Sequence, residues 1–176
     1  MASNFDLLTA SRPALRLTML AVILVVFCAR GLAANNCPWI NETTASGLIG
    51  ADAVGSFADA TATQPAVCNF VQSGPGVTRT LRITVMQTPH FQDLIEAENK
   101  TCIGMATHMI AIGNEAINCP ADDHKKVIAE RVVGRVRDQV FTITLSTTLK
   151  DDTILTRDEL KSRIATAAEQ VSGNLF

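Results

Sequence analysis

Two stretches of strict alternation, Leu81-Arg82-Ile83-Thr84-Val85 and Phe141-Thr142-Ile143-Thr144-Leu145, constrain the fold of this chain more than any other feature. An apolar residue at every second position puts one row against a core and leaves threonine and arginine on the opposite side, so each stretch predicts a half-buried strand with one wet face. One wet face is a property of antiparallel sheets, because parallel sheets are covered on both sides. The first alternating strand lies in one half of the chain and the second in the other. Each half opens near a cysteine and closes with one of these Thr-rich strands.

The remaining elements follow from turn and cap chemistry. Asn41 caps a short helix, Glu42 to Ile49, and Gly50 stops it. Val54 to Phe57 and Val67 to Val71 read as short strands around a Thr/Gln/Pro turn, and Ser73-Gly74-Pro75-Gly76 is a loop. Thr88-Pro89 opens a second helix, with Thr88 as cap and Phe91, Leu94, Ile95 and Glu98 at helical spacing, ending near Asn99. Ile103 to Ile112 is apolar with small residues, Gly113-Asn114 is a turn, and Glu115 to Cys119 is a short strand. Val127 to Val133 and Gln139 to Ser146 pair across a five-residue connection, Gly134 to Asp138. A last helix starts at the Thr156-x-x-Glu159 capping box, carries Leu160, Ile164, Ala167, Ala168 and Val171 on one stripe, and stops at Gly173, leaving Leu175-Phe176 as an apolar tail. The fold class expected is α+β: a mainly antiparallel sheet with two or three helices on one face, preceded by a signal-peptide helix.

Residues 1–33 read as that signal peptide. Leu17 to Ala29 is an apolar run of 13 residues closed by Arg16 and Arg30. This fits the 7–15-residue core of an export signal and falls short of the ~20 residues of a spanning helix. Gly31 and Ala33 supply the small residues of a cleavage site after Ala33, an uncleaved anchor being the other reading. Residues 34–176 then form a single exported domain, periplasmic or secreted, with 12 basic against 16 acidic residues and a net charge of −4. No polybasic surface offers itself to nucleic acid, and no spanning helix remains after processing.

Cleavage also removes Cys28 and leaves Cys37, Cys68, Cys102 and Cys119. An even number of cysteines in an exported chain, with no C-x-x-C among them, points to disulfides and away from zinc or redox catalysis. Four cysteines allow three connectivities, among which sequence does not choose. Keeping each pair inside one half of the chain favours Cys37–Cys68 with Cys102–Cys119.

Catalytic patterns are missing from the sequence. His90, His108 and His124 show no HExxH or HxH spacing, no G-x-S-x-G occurs, and the Ser73 loop lacks the lysine of a phosphate-binding loop. Asp151-Asp152 reads as solvated charge ahead of a helix. Arg131, Arg135 and Arg137, with Lys125 and Lys126 upstream, read as a solvated sheet edge. Catalytic, cofactor and metal residues are therefore none.

Cys37-Pro38-Trp39-Ile40 followed by a short helix and Cys68-Asn69-Phe70, then Ile112-Gly113-Asn114-Glu115-Ala116 and the Val140 to Leu145 strand, resembles small exported bacterial domains of unknown function. Among these are the actinobacterial lipoprotein-type families, and the resemblance implies an α+β fold similar to the PsbP-like sandwich over most of residues 37–176. It implies no catalytic residue. The chain departs from the lipoprotein members in having no cysteine placed for acylation. Asn41-Glu42-Thr43 and Asn99-Lys100-Thr101 match the glycosylation acceptor pattern, which carries meaning only in a eukaryotic source.

The function expected is an exported, disulfide-bonded, non-enzymatic domain that binds a protein or envelope partner or supports an envelope component. Two alternatives stand beside it. One is a secreted hydrolase with a dispersed site and His90 or His108 as base. The other is a carrier of a small apolar ligand, with Met105, Met109 and Ile110 in a cleft between sheet and helices.

Overall fold

The structure, a computed structural model, describes residues 36–122 and 127–176. The leader expected over residues 1–33 lies outside the described residues, as do His124, Lys125 and Lys126. Helix α1 (Glu42–Ile49) is followed by strands β1 (Val54–Ala58), β2 (Ala66–Gly74) and β3 (Val77–Gln87). Helix α2 (Phe91–Lys100) then leads into β4 (Thr107–Met109), β5 (Glu115–Pro120), β6 (Ile128–Val136), β7 (Gln139–Thr147) and helix α3 (Arg157–Leu175). The seven strands form one sheet in the order β1-β2-β3-β7-β6-β5-β4, and every neighbouring pair is antiparallel. Each half of the chain thus enters from its own edge and winds inward, and the two meet where β3 pairs with β7.

That central pairing is the meeting of the two alternating stretches. Leu81 stands opposite Leu145, Ile83 opposite Ile143 and Val85 opposite Phe141, all buried. Alternation propagates the row sideways to Cys68 and Phe70 on β2 and to Val132 and Val136 on β6. This apolar side is covered by α1 and α3, whose Ala45, Leu48, Ile49, Leu160, Ile164, Ala167, Ala168 and Val171 join the same core. Burying a Leu, Ile or Phe side chain contributes roughly 1.5–3 kcal/mol, so this row supplies most of the driving force for folding.

Caps and turns depart from the sequence reading in a few places. Asn41 Oδ1 accepts from the Thr44 N–H at 2.8 Å, and Gly50 closes α1 at φ 80°, both as expected. In α3, Thr156 Oγ1 accepts from the Glu159 N–H, but the Glu159 carboxylate turns to Arg163 at 2.7 Å, so only half of the capping box forms. Gly173 does not stop α3, which runs on to Leu175. Thr88 is not the cap of α2: the helix begins after His90, and Thr88 Oγ1 accepts from the His90 N–H at 3.1 Å instead. The β2–β3 loop shrinks to Pro75-Gly76, with Gly76 at φ 75°, the glycine position of a tight turn opened by proline. The β6–β7 connection is likewise two residues, Arg137-Asp138, because Gly134 lies within β6 under the Phe141 ring, where any Cβ would collide.

The larger correction concerns layers. The helices do not share one face: α1 and α3 pack on one side, while α2 lies on the other, its Phe91, Leu94 and Ile95 against Ile117, Val133 and Val140. The sequence hides this because Val133 and Val140 occupy the wet parity of their strands, a local inversion of the alternating pattern. β4 is a further strand not anticipated within Ile103 to Ile112; at three residues it is too short to show a period.

Candidate functional site

The second face of the sheet is divided. Over β5, β6 and β7 it is covered by α2, whose C-terminal end is fixed by the Cys102–Cys119 disulfide and by the Ile103 N–H donating to Pro120 O at 3.0 Å. The start of α2 is held by Phe91 beneath the Arg135 guanidinium, 4.0 Å from the ring centroid. Over β1, β2 and β3 no described element covers the same face: every buried residue of these strands points to the α1 and α3 side, and the side chains of the opposite parity are half-buried or exposed. Asn69, Thr80, Arg82 and Thr84 belong to this open part.

At the border between covered and open regions lies a cleft of about 210 Å³, lined by Arg82, Thr84, Glu98, Arg131, Thr142 and Thr144. Sheet register explains its make-up. Arg82 stands opposite Thr144, and Thr144 opposite Arg131, so two arginines flank one threonine in a single row across β3, β7 and β6. With strands ~4.8 Å apart, their backbones are separated by roughly 10 Å. The adjacent row places Thr84 opposite Thr142.

The two arginines are held differently. Arg131 Nη1 donates to Glu98 Oε2 at 2.9 Å and to Thr101 Oγ1 at 2.8 Å, while its Nε is buried with no acceptor. Arg82 is exposed and forms no hydrogen bond or ion pair among the described residues. A guanidinium presents five donors in a planar fork and keeps its charge at any working pH. The cleft therefore combines two fixed cations, one fixed anion and three hydroxyls able to donate or accept.

A second, larger groove of about 610 Å³ runs between the Cys37–Asn41 segment and the last turns of α3. Its one charged wall residue is Glu169, and Asn174 Nδ2 bridges it by donating to Trp39 O at 2.7 Å. It presents no convergent set of charged groups.

The remaining sequence candidates are dispersed. Cys37 is bonded to Cys68 and Cys102 to Cys119, with Cα–Cα separations of 5.6 Å in both, each pair within its own half of the chain. His90 precedes α2 and His108 sits on the edge strand β4; both are exposed, and neither imidazole meets a hydroxyl or carboxylate among the described residues. Met105 and Ile110 project into solvent at 89% and 93% exposure and only Met109 packs on the core, so these three line no apolar cleft. No group of three or more His, Cys, Asp or Glu able to hold a metal occurs among the described residues.

Two charged sites were misjudged from sequence. Arg131 and Arg135 lie on no sheet edge, since β6 sits between β7 and β5; Arg131 pairs with Glu98 and Arg135 with Glu115 at 3.0 Å. Asp152 is not solvated: it is buried and accepts from Arg79 through both oxygens, at 2.7 and 2.9 Å, as well as from Thr147 Oγ1 and the Ile154 and Leu155 N–H groups. Burial alone would raise its pKa, but these donors prevail and hold it well below the usual carboxylate range.

Sequence reading also missed Glu130. It is fully buried on the α3 side, with Oε1 3.5 Å from Arg157 Nη1 and Oε2 without a partner among the described residues. Burial raises its pKa against the opposing fields of Arg157 and Lys161. Arg157 itself is engaged by the Asp122 carboxylate at 2.5 and 2.8 Å. Glu130 interrupts the apolar row of β6, and that break in pattern was its only sequence signal.

The fold and cleft define a disulfide-bonded α+β domain with a half-open antiparallel sheet. No helix among its described residues is long and apolar enough to cross a membrane. Compared with protein-family models, curated proteins and solved structures, the chain matches none significantly.

Proposed function

We propose that this chain is an extracytoplasmic, non-enzymatic binding domain that engages an envelope component through the open half of its second sheet face. The observation carrying this reading is the asymmetry of that face. One half is sealed by α2 under a disulfide, the other is left uncovered, and a cleft with charged and hydroxyl groups marks the boundary. Both disulfides suit an oxidising compartment. A sheet held rigid on its far side by α1 and α3 is a preformed platform, which lowers the ordering cost of binding.

Proximity cross-linking in the source cell tests the reading. A benzophenone side chain at Val67, on the open face, is expected to yield a covalent adduct. The same group at Glu169, on the larger groove, is expected to yield none. Adducts from position 169 with none from position 67 would move the binding surface to the groove and overturn the proposal.

A further inference from the structure

The geometry points to a hydroxylated monocarboxylate, the chemistry of a sugar acid or hydroxy acid, as the group the Arg82–Arg131 cleft accepts from its envelope partner. This inference rests on the open-face reading and specifies its chemistry.

Charge is the first argument. Two guanidinium groups and one carboxylate line the cleft, leaving one uncompensated positive charge in a chain whose net charge is −2. That residual charge is matched by one carboxylate. A phosphate, at about −1.5 to −2, would leave the cleft negative.

Donor geometry is the second. Glu98 shows how Arg131 takes a carboxylate, through Nη1 at 2.9 Å. Arg82, across Thr144 in the same row, has its whole fork unused. The structure thus holds two arginines on one cleft and only one internal carboxylate between them.

Hydroxyls supply the third argument. Thr84, Thr142 and Thr144 stand between and beside the arginines on β3 and β7, and a hydroxyl both donates and accepts. Ligand hydroxyls are matched by such a wall, while an aliphatic acid would leave it unpaired. The cleft volume, about 210 Å³, suits a short group.

Isothermal calorimetry on the full chain tests the assignment with glycerate as the minimal probe, glycerol as its neutral counterpart and inorganic phosphate as the competing anion. Glycerate is expected to bind saturably in the millimolar range and glycerol not at all. Phosphate is expected to bind more weakly than glycerate. Arg82→Gln, which removes a side chain with no partner among the described residues, is expected to weaken glycerate at least tenfold and leave the melting temperature unchanged. Thr142→Trp, which fills the cleft, is expected to abolish binding. Glycerate binding unchanged in Arg82→Gln, equal binding of glycerol, or phosphate binding as tightly as glycerate would overturn the assignment. Absence of glycerate binding while the Val67 adduct persists would reject the carboxylate chemistry and leave the open-face reading standing. Loss of the adduct as well would reject both.

Discussion

Arg79 and Asp152, 73 positions apart, form a bidentate ion pair buried at the end of the sheet, with side chains 8% and 1% exposed. Arg79 stands on β3 beside Thr147 of β7, and Asp152 belongs to the loop leading into α3. The pair therefore ties the entry of α3 to the central strands, and Gln72 completes it by accepting from Arg79 Nη1 at 3.2 Å.

Removing one partner leaves the other charge buried. Asp152→Ala is expected to destabilise the chain by about 3–5 kcal/mol, measured by urea denaturation at neutral pH. The folded-state pKa of Asp152 lies below its unfolded value, so its contribution is present above pH ~3.9 and is lost as pH falls below that value. Wild type and variant are expected to converge in stability only in strong acid. A constant difference down to pH 2 would contradict the pairing.

Glu130 behaves in the opposite sense. Its folded-state pKa is raised by burial, so its ionisation opposes folding once pH passes the unfolded value near 4.3. Glu130→Gln keeps the shape, leaves Arg157 with Asp122, and is expected to raise stability at pH 7 with no gain at pH 4. A loss of stability at pH 7 would mean that the Arg157 contact outweighs the burial cost.

The disulfides close spans of 31 and 17 residues. Loop-closure entropy assigns them about 4 and about 3 kcal/mol. Serine replacement of Cys37 and Cys68 is expected to lower global stability by the larger amount. Replacing Cys102 and Cys119 is expected to release α2 first, seen as faster amide exchange over residues 91–100. Non-reducing peptide maps are expected to contain only the within-half links; a Cys37–Cys119 or Cys68–Cys102 peptide would contradict the two-half architecture.

Arg137 adopts φ 55° as the first residue of the two-residue β6–β7 turn, a position that favours glycine. Arg137→Gly is expected to raise stability in thermal denaturation, since relief of the ~1–2 kcal/mol left-handed strain exceeds the entropy glycine adds to the unfolded chain and the backbone N–H bond to Asn114 at 2.6 Å survives the change. Destabilisation would mean that the contact of its guanidinium with Phe176, 5.8 Å from the ring centroid, carries more weight than the backbone strain.

What was legible in the sequence is what short-range chemistry controls. Asn41 and Gly50 delimit α1 because cap and stop are local, and Leu81, Ile83 and Val85 mark β3 because their period is set by the strand itself. The side chosen by α2 was not legible, since Phe91, Leu94 and Ile95 announce an apolar stripe without saying which face receives it. Asp152 looked solvated because its partner, Arg79, is remote in sequence. The cleft was hidden for the same reason: Arg82, Thr144 and Arg131 share a row only through the β3–β7 and β7–β6 registers.

The most direct test of the binding surface is a map of amide chemical shifts on the isotope-labelled chain during titration with glycerate. Saturable shifts are predicted at Asn69, Arg82, Thr84, Thr142 and Thr144, with Trp39, Thr44 and Asn174 unmoved. Shifts clustered on Trp39, Thr44 and Asn174 would contradict the binding surface, and none that saturate at the open face would contradict the carboxylate assignment.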